Sequence, residues 1–159
     1  MNKIYIIAET ACSHDGSVQR IKKMIDAAAS ANFSAIQIQI WRYQNMVSPS
    51  HKDIPILKKV QINYDNWKKI ISYIRKNNNI DIIACIYDEE ALNFCLKNDI
   101  KYFKIHTADL GNKNLIVKTS KYASRIDLSI GSSTESEIKK AISWINKKCD
   151  YWLMYGYQL

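Results

Sequence analysis

Short runs of apolar, largely β-branched residues alternate along this chain with longer stretches in which apolar residues recur at helical spacing. The six short runs are residues 4–8, 35–40, 81–85, 102–106, 126–130 and 151–155. Each is apolar on both faces, which is typical of strands in a parallel sheet that is covered on both sides. The sequence therefore predicts an α/β fold of about six strand–helix units.

Helical spacing is clearest in four of the intervening stretches. Their apolar positions are Ile21, Met24, Ile25 and Ala28; Trp67, Ile70, Ile71 and Ile74; Ala91, Leu92 and Cys95; and Ile138, Ala141, Ile142 and Ile145. Asp88 and Thr134 can each cap a first turn, so we expect the last two helices to start there. Glu137 follows Thr134 at the spacing of a capping box.

Six parallel strands joined by right-handed crossovers can form either a doubly wound sheet or a barrel. Polar residues occur at or just beyond the carboxyl ends of the strands, at Glu9, Gln39, Asp88, His106, Ser132 and Gln158. Eight-fold barrels build their sites at that end from many strands, whereas doubly wound sheets bind ligands at one switch point. A whole barrel needs about 250 residues, and this chain has 159. We therefore predict an incomplete (β/α)8 TIM-type barrel, as one domain over residues 1–159.

Composition narrows the possible partners and compartment. The net charge of +8 includes lysine pairs such as Lys68-Lys69 on predicted helix surfaces, which favours a solvated surface over nucleic-acid binding. The four cysteines are far apart and form no Cys-x-x-Cys pair, so we expect free thiols. The apolar run at the N-terminus is too short for a signal peptide or a membrane span, and we expect a cytoplasmic protein.

One connection is much longer than the others. It runs over residues 41–63, between the second strand and the second clear helix, and it contains Met46, Pro49, His51 and Pro55. Loops of this length in compact domains are usually functional or mobile. We expect the same of this one.

The strongest local signal follows the first strand, at residues 7–16. It places Glu9 and His14 five residues apart, and such a carboxylate and imidazole can hold a polar substrate or move a proton if the turn brings them together. The alternative is structural: Ser13 or Asp15 caps the first helix, Gly16 shapes the turn and His14 is a hydrogen-bonded loop residue. The residues alone leave both interpretations open.

Residues 7–16 resemble the opening I-A-E-I-G-x-N-H-x-G of the N-acetylneuraminate (sialic acid) synthase family, with Glu9, His14 and Gly16 in place and Ser13 at the asparagine. Further segments match in order. Residues 35–39 are similar to the family's A-V-K-F-Q, 102–109 to F-K-I-x-S-G-E, 128–132 to L-S-T-G-M, and 153–158 to L-L-H-C-T-N. The ordered set covers nearly the whole chain.

The resemblance implies a transferase that joins phosphoenolpyruvate to an N-acyl hexosamine, N-acetylmannosamine or a modified relative, and releases a nonulosonic acid and phosphate. It implies that Lys104 is the cation on phosphoenolpyruvate and that Thr107 and Ser129 donate hydroxyl hydrogen bonds to the phosphate. Glu9 and Asp109 would be catalytic residues around the sugar. The implied substrate pocket also includes Gln37, Gln39, Gln158 and His14.

The residues themselves support some of these roles. Lys104 lies inside a buried strand, where an unpaired lysine is costly, and this favours a functional role. Gln37 and Gln39 share one face of their strand, as expected for a polar barrel interior with or without a ligand. Thr107 and Ser129 can equally be strand-end hydroxyls bonded to nearby carbonyls. His106 is either a residue at the core edge or an altered pocket residue.

Departures from the family pattern weaken the anion site. Gln37 replaces a lysine, Cys85 a threonine and Tyr155 a histidine. Loss of one charge-assisted hydrogen bond costs about 1.5–3 kcal/mol. The family also uses a divalent metal, Mn or Mg, to polarise the sugar aldehyde, held by histidines of the seventh and eighth strands, which we expect to fall beyond Leu159.

We therefore expect this chain alone to be an inactive fragment of a synthase that forms homodimers in its relatives. One alternative is a non-catalytic, barrel-derived module that binds a sugar or a partner protein. A second is a different phosphate-binding enzyme with the same layout.

Overall fold

The strands follow one another across a single sheet. The computed structural model describes residues 4–77 and 79–156. Its six strands are β1 (Ile7–Glu9), β2 (Ala35–Ile40), β3 (Asp81–Ile86), β4 (Tyr102–Ile105), β5 (Arg125–Ser129) and β6 (Asp150–Met154). The order is β1-β2-β3-β4-β5-β6. A doubly wound sheet reverses its order at a switch point, so this order confirms the incomplete (β/α)8 TIM-type barrel.

The chain divides into two compact units, Met1–Ile83 and Ala84–Leu159. In the first unit, β1 pairs in parallel with β2, and Glu9 lies opposite Gln37. Helix α1 (Val18–Ser30) buries Ile21, Ile25 and Ala28, and helix α4 (Tyr64–Asn77) places Trp67, Ile70, Ile71 and Ile74 in the core. The apolar spacing had predicted both buried faces.

The long connection of the first unit is partly helical, which corrects the expectation of a loop. It contains α2 (Tyr43–Met46) and α3 (Ile54–Val60). The Tyr43 amide donates to Oε1 of Gln61 at 2.9 Å, and the Lys58 ammonium lies 5.3 Å from the centre of the Tyr43 ring. These contacts join the two ends of the segment.

In the second unit, β4 pairs in parallel with β5, and β5 with β6. Asp88 caps α5 (Glu89–Lys97). Thr134 and Glu137 form the predicted capping box of α7 (Glu135–Ser143). Helix α7 ends before Ile145, which the apolar spacing had placed in the helix. A short 3-10 helix, Thr107–Asp109, follows β4.

Helix α6 (Lys113–Tyr122) was not among the four clear predictions. Asn112 caps it, and its buried positions are Leu115, Ile116, Thr119 and Ser120. Two of these four buried side chains carry hydroxyl groups, so the hydrophobic periodicity of the helix is weak although this face is buried. Asn112, a residue type that favours the N-cap position, was the sequence feature that could have predicted the start of this helix.

Strand β5 corrects a second expectation, because it is not apolar on both faces. It begins at Arg125, one residue earlier than predicted, and it buries both Arg125 and Asp127. On β6, Tyr151, Trp152 and Leu153 are 38–45% exposed. All four cysteines are free, and three of them are buried. None of the helices in the described part of the chain is both long and apolar enough to cross a membrane.

Candidate active site

In the first unit, three predicted site residues lie together at the ends of β1 and β2. We call Glu9, Gln37 and Gln39 the Glu9 group. Glu9 is opposite Gln37 in the parallel register, so these two side chains share a face, and Gln39 lies two residues further along it. Nε2 of Gln39 donates to Oε1 of Glu9 at 3.2 Å. The two glutamines, which were predicted to share a face, therefore lie on the same face as the Glu9 carboxylate.

Gln37 carries a buried donor without a partner. The residue is 1% exposed, and its Nε2 has no hydrogen-bond partner among the described residues. Buried polar groups are nearly always paired, so the Gln37 amide is a candidate contact for a ligand oxygen. The family-type lysine would present a charge at this position, whereas Gln37 presents a neutral amide.

Thr10 was not singled out from the sequence, yet it fixes the end of β1. It is 1% exposed, and its Oγ1 donates to the carbonyl oxygen of Gln37 at 3.1 Å. The Thr10 amide donates to the same oxygen, also at 3.1 Å. This double contact holds the strand end that carries Glu9 against β2.

His14 is the centre of the turn between β1 and α1. It is 3% exposed, its Nδ1 accepts from the Gly16 amide at 3.1 Å, and its ring meets Trp67 edge-on with centres 6.1 Å apart. Burial lowers the pKa of His14, and the charge of Asp15 partly opposes this shift. These contacts favour a neutral, hydrogen-bonded imidazole that shapes the turn.

The turn itself decides where α1 begins. Ala11, Asp15 and Gly16 all have positive φ, so the helix cannot start there. Ser17 is the cap instead, and its Oγ accepts from the Arg20 amide at 3.2 Å. The expectation that Ser13 or Asp15 caps the helix is therefore wrong; Asp15 pairs with Arg20.

In the second unit, four polar side chains share one face of β4 and β5. We call Lys104, Arg125, Asp127 and Ser129 the Lys104 group. Lys104 lies opposite Asp127 in the register, and Arg125 and Ser129 are two residues to either side of Asp127 on the same face. All four are buried, with exposures from 0 to 8%. The structure thus brings Lys104 and Ser129 to one face, as the anion-site prediction requires.

Arg125 and Asp127 were missed by the sequence analysis. Nε of Arg125 donates to Oδ1 of Asp127 at 2.8 Å, and one terminal nitrogen donates to Oδ2 at 3.2 Å. The guanidinium carbon also lies 3.7 Å from the centre of the Trp152 ring and 4.8 Å from that of Tyr102. The sequence feature that could have predicted this ion pair is the presence of opposite charges two residues apart in a strand, because such residues share a face.

Burial raises the pKa of Asp127. The hydrogen bond from Arg125, the charge of Arg125 and the charge of Lys104 act in the opposite direction, in that order of size, and Asp150 adds a smaller raising effect. Desolvation therefore outweighs the two neighbouring cations.

Thr107 and Asp109 lie in the 3-10 helix that follows β4. Nδ1 of His106 accepts from the Ala108 amide at 3.2 Å, and Oδ1 of Asp109 accepts from Asn112 at 3.3 Å. The His106 ring packs 5.7 Å from the Tyr87 ring, which supports the interpretation of His106 as a structural residue at the core edge. Thr107 lines a cavity of about 420 Å³ with Ser132, Ser133, Glu137, Lys140 and Trp144.

Three further positions that the resemblance singles out differ in burial or lie outside the described residues. Cys85 is fully buried, and Tyr155 is 84% exposed. Gln158 lies outside the described residues. Within residues 4–77 and 79–156, no group of three or more His, Cys, Asp or Glu side chains is arranged to hold a metal ion, so the described residues do not fit the divalent metal that the resemblance implies.

Comparisons with known proteins agree on one family. The profile of the NeuB family matches residues 24–155. N,N'-diacetyllegionaminic acid synthase of Campylobacter jejuni is 26% identical over 161 residues, covering 92% of this chain and 48% of that protein. Pseudaminic acid synthase of the same species is 26% identical over 151 residues, covering 87% and 44%. The chain spans about half the length of the curated relatives that it matches.

A solved structure gives the same result for the fold. The sialic acid synthetase of Leptospira borgpetersenii, crystallised in complex with citrate, superposes with a TM-score of 0.91 at 25% identity. The match covers 99% of this chain and 55% of that one. Every described strand therefore has its counterpart region in that enzyme.

Proposed function

Because this chain belongs to the NeuB family, we propose that it supplies strand-end residues of a nonulosonic acid synthase. The substrates would be phosphoenolpyruvate and an N-acyl hexosamine, and the products a nonulosonic acid and phosphate. The names of its relatives, which make legionaminic and pseudaminic acids, support this class of product. The chain alone is proposed to bind substrate without turnover.

The observation that carries the proposal is the position of Lys104. Its side chain is 8% exposed on β4, and it shares a face with Ser129, also 8% exposed, on β5. An ammonium group and a hydroxyl at strand ends are suited to a phosphate or carboxylate, because charge-assisted hydrogen bonds are the strongest that such an anion can receive. We assign both residues, with Thr107, to phosphoenolpyruvate.

The Glu9 group is proposed to contact the sugar. Its two amides can donate to sugar or carbonyl oxygens, and a ligand oxygen would satisfy the buried Nε2 of Gln37. Glu9, oriented by Gln39, can accept a hydroxyl hydrogen bond or exchange a proton. Asp109 is proposed for a similar role, and His14 for holding the turn that positions Glu9.

In the proposed reaction, C3 of phosphoenolpyruvate attacks the aldehyde carbon of the open-chain sugar and forms the new carbon–carbon bond. The aldehyde oxygen takes up a proton, water adds at C2, and phosphate leaves as the C2 carbonyl forms. The chain's own residues bind the phosphate and carboxylate and hold protons near the sugar. No step is assigned to a metal, since the described residues do not form a site for one.

Binding of phosphoenolpyruvate tests the proposal directly. Calorimetric titration of the chain should show saturable binding, and Lys104→Ala should weaken it about 10- to 100-fold, since a charge-assisted hydrogen bond contributes about 1.5–3 kcal/mol. Lys101→Ala is the matched control, because Lys101 is an exposed lysine on the approach to the same strand. Equal affinity of the wild-type chain and the Lys104→Ala variant would refute the assignment.

The acceptor sugar can be tested on the same samples. With phosphoenolpyruvate bound, a panel of N-acyl hexosamines is titrated against the wild-type chain and against Gln37→Leu. The leucine keeps the side-chain bulk and removes the unpaired donor, so we expect weaker sugar binding at saturating phosphoenolpyruvate. If Gln37→Leu binds the sugars as well as the wild type does, the role of Gln37 is wrong.

A further inference from the structure

The Lys104 group contains a negative charge as well as the expected cation. Asp127 is fully buried and accepts two hydrogen bonds from Arg125. Arg125 in turn lies against the rings of Trp152 and Tyr102. A carboxylate fixed by a bidentate guanidinium that itself contacts two rings has little freedom to move.

Asp127 is also the nearest register neighbour of Lys104. The two residues are directly opposite each other on β4 and β5, so both side chains leave the sheet on the same face and side by side. The charged groups that act on Asp127 are Arg125, Lys104 and Asp150. Lys104 therefore has a fixed anion beside it in the absence of any substrate.

We propose that Asp127, held by Arg125, is an internal counter-ion of Lys104 that limits how tightly the site binds its anionic substrate. This inference rests on the proposed function, in which Lys104 contacts phosphoenolpyruvate. Arg125, Asp127 and Lys104 together carry one net positive charge, which is the same as the charge of Lys104 alone. The difference is that a substrate anion approaching Lys104 also meets the neighbouring Asp127 carboxylate. Asp127 is thus a positioning and affinity-setting residue and does not itself touch the substrate.

The direction of the effect follows from electrostatics in a buried setting. An incoming phosphate or carboxylate is attracted by Lys104 and repelled by Asp127, and both interactions are strong because little water screens them. Removal of the Asp127 charge leaves the two cations and should tighten anion binding. A variant that merely disturbed the fold would weaken binding, so the sign of the change separates the two explanations.

The experiment compares Asp127→Asn with Asp150→Asn in the intact chain. Asparagine keeps the shape of Asp127 and one acceptor for Arg125, and Asp150→Asn removes the same charge from an exposed neighbour on β6. We expect Asp127→Asn to bind phosphoenolpyruvate about tenfold more tightly, and Asp150→Asn to stay within about twofold of the wild type. Equal tightening in both variants would show a net-charge effect and overturn the proposal.

A further comparison separates this inference from the proposed function. If Lys104→Ala loses binding while Asp127→Asn binds like the wild type, the counter-ion role is wrong and the proposed function stands. If Lys104→Ala binds like the wild type, the proposed function fails. The counter-ion role is then judged by a measurement that needs no ligand.

That measurement is the rate of acylation of Lys104 by an amine-reactive ester near pH 8, followed by mass spectrometry with the exposed Lys101 as internal reference. Without its proposed counter-ion, the Lys104 side chain is less firmly held and meets the reagent more often, so Asp127→Asn should react about tenfold faster at Lys104. An unchanged rate refutes the counter-ion role. A rise accompanied by faster amide exchange of Phe103 and Ile105 refutes it as well, because local opening then explains the reactivity.

Discussion

The Arg125–Asp127 pair on β5 is buried, so the loss of one partner should be far more harmful than the loss of both. Arg125→Met leaves the Asp127 carboxylate without its two hydrogen bonds. We expect the free energy of unfolding to fall by about 3–5 kcal/mol, measured by urea denaturation. The double variant Arg125→Met/Asp127→Leu should recover most of this loss, and a double variant as unstable as the single one would contradict the explanation.

The same carboxyl group should produce a pH dependence of stability. Burial raises the pKa of Asp127 in the folded protein, so the folded state retains this proton at pH values where the unfolded chain has lost it. The group's contribution to stability is therefore full below the unfolded pKa of about 4 and decreases as pH rises through the raised folded pKa. Urea denaturation from about pH 4 to 7 should show this decrease in the wild type and a flatter profile in Asp127→Asn.

At the scale of elements, the turn between β1 and α1 requires glycine at one position. Gly16 has a φ of +75°, and a Cβ there would lie 2.3 Å from the carbonyl oxygen of Lys59. We expect Gly16→Ala to lower the free energy of unfolding by about 1–3 kcal/mol, measured by chemical denaturation. Gly111→Ala is the control, since no atom lies within 4 Å of its Cβ position, and its effect should stay within about 0.5 kcal/mol. Equal effects of the two variants on the free energy of unfolding would disprove the requirement for glycine at position 16.

The capping box of α7 shows how local chemistry can define an element from the sequence. Glu137 Oε2 accepts from both the amide and the hydroxyl of Thr134, at 2.8 and 2.7 Å. These bonds lower the pKa of Glu137. The start of α7 was predictable because all partners lie within four residues. The start of α1 was not, because the positive φ values of Asp15 and Gly16 postpone the helix to Ser17.

For the whole molecule, the exposed apolar residues of β6 predict self-association. Tyr151 and Leu153 share one face of the strand and are 41% and 45% exposed, and β6 is an end strand of the described sheet. Unpaired strand edges and apolar patches promote association. Sedimentation velocity should show a concentration-dependent increase in mass that Leu153→Lys reduces. Val117→Lys, at a position 42% exposed on α6, should not reduce it; equal effects of both would argue against this surface.

The sequence by itself determined the α/β class, the approximate positions of the six strands and the buried faces of α1, α4 and α5. It did so because periodicity and capping are local properties that neighbouring residues encode. The first strand was predicted at residues 4–8 and lies at Ile7–Glu9, and α7 buries only Ala141 of its predicted apolar positions. The family resemblance added Lys104, Ser129 and the two glutamines as candidate site residues. The structure then placed Glu9 beside Gln39, and Lys104 and Ser129 on one face.

Only the tertiary structure decided which charges are neighbours. The counter-ion arrangement of Asp127 and Lys104 depends on the register between β4 and β5. A shift of one residue would put the two side chains on opposite faces, and no pattern within either strand fixes that register. The unpaired amide of Gln37 likewise emerged only from packing, since satisfaction of a buried donor depends on residues distant in sequence.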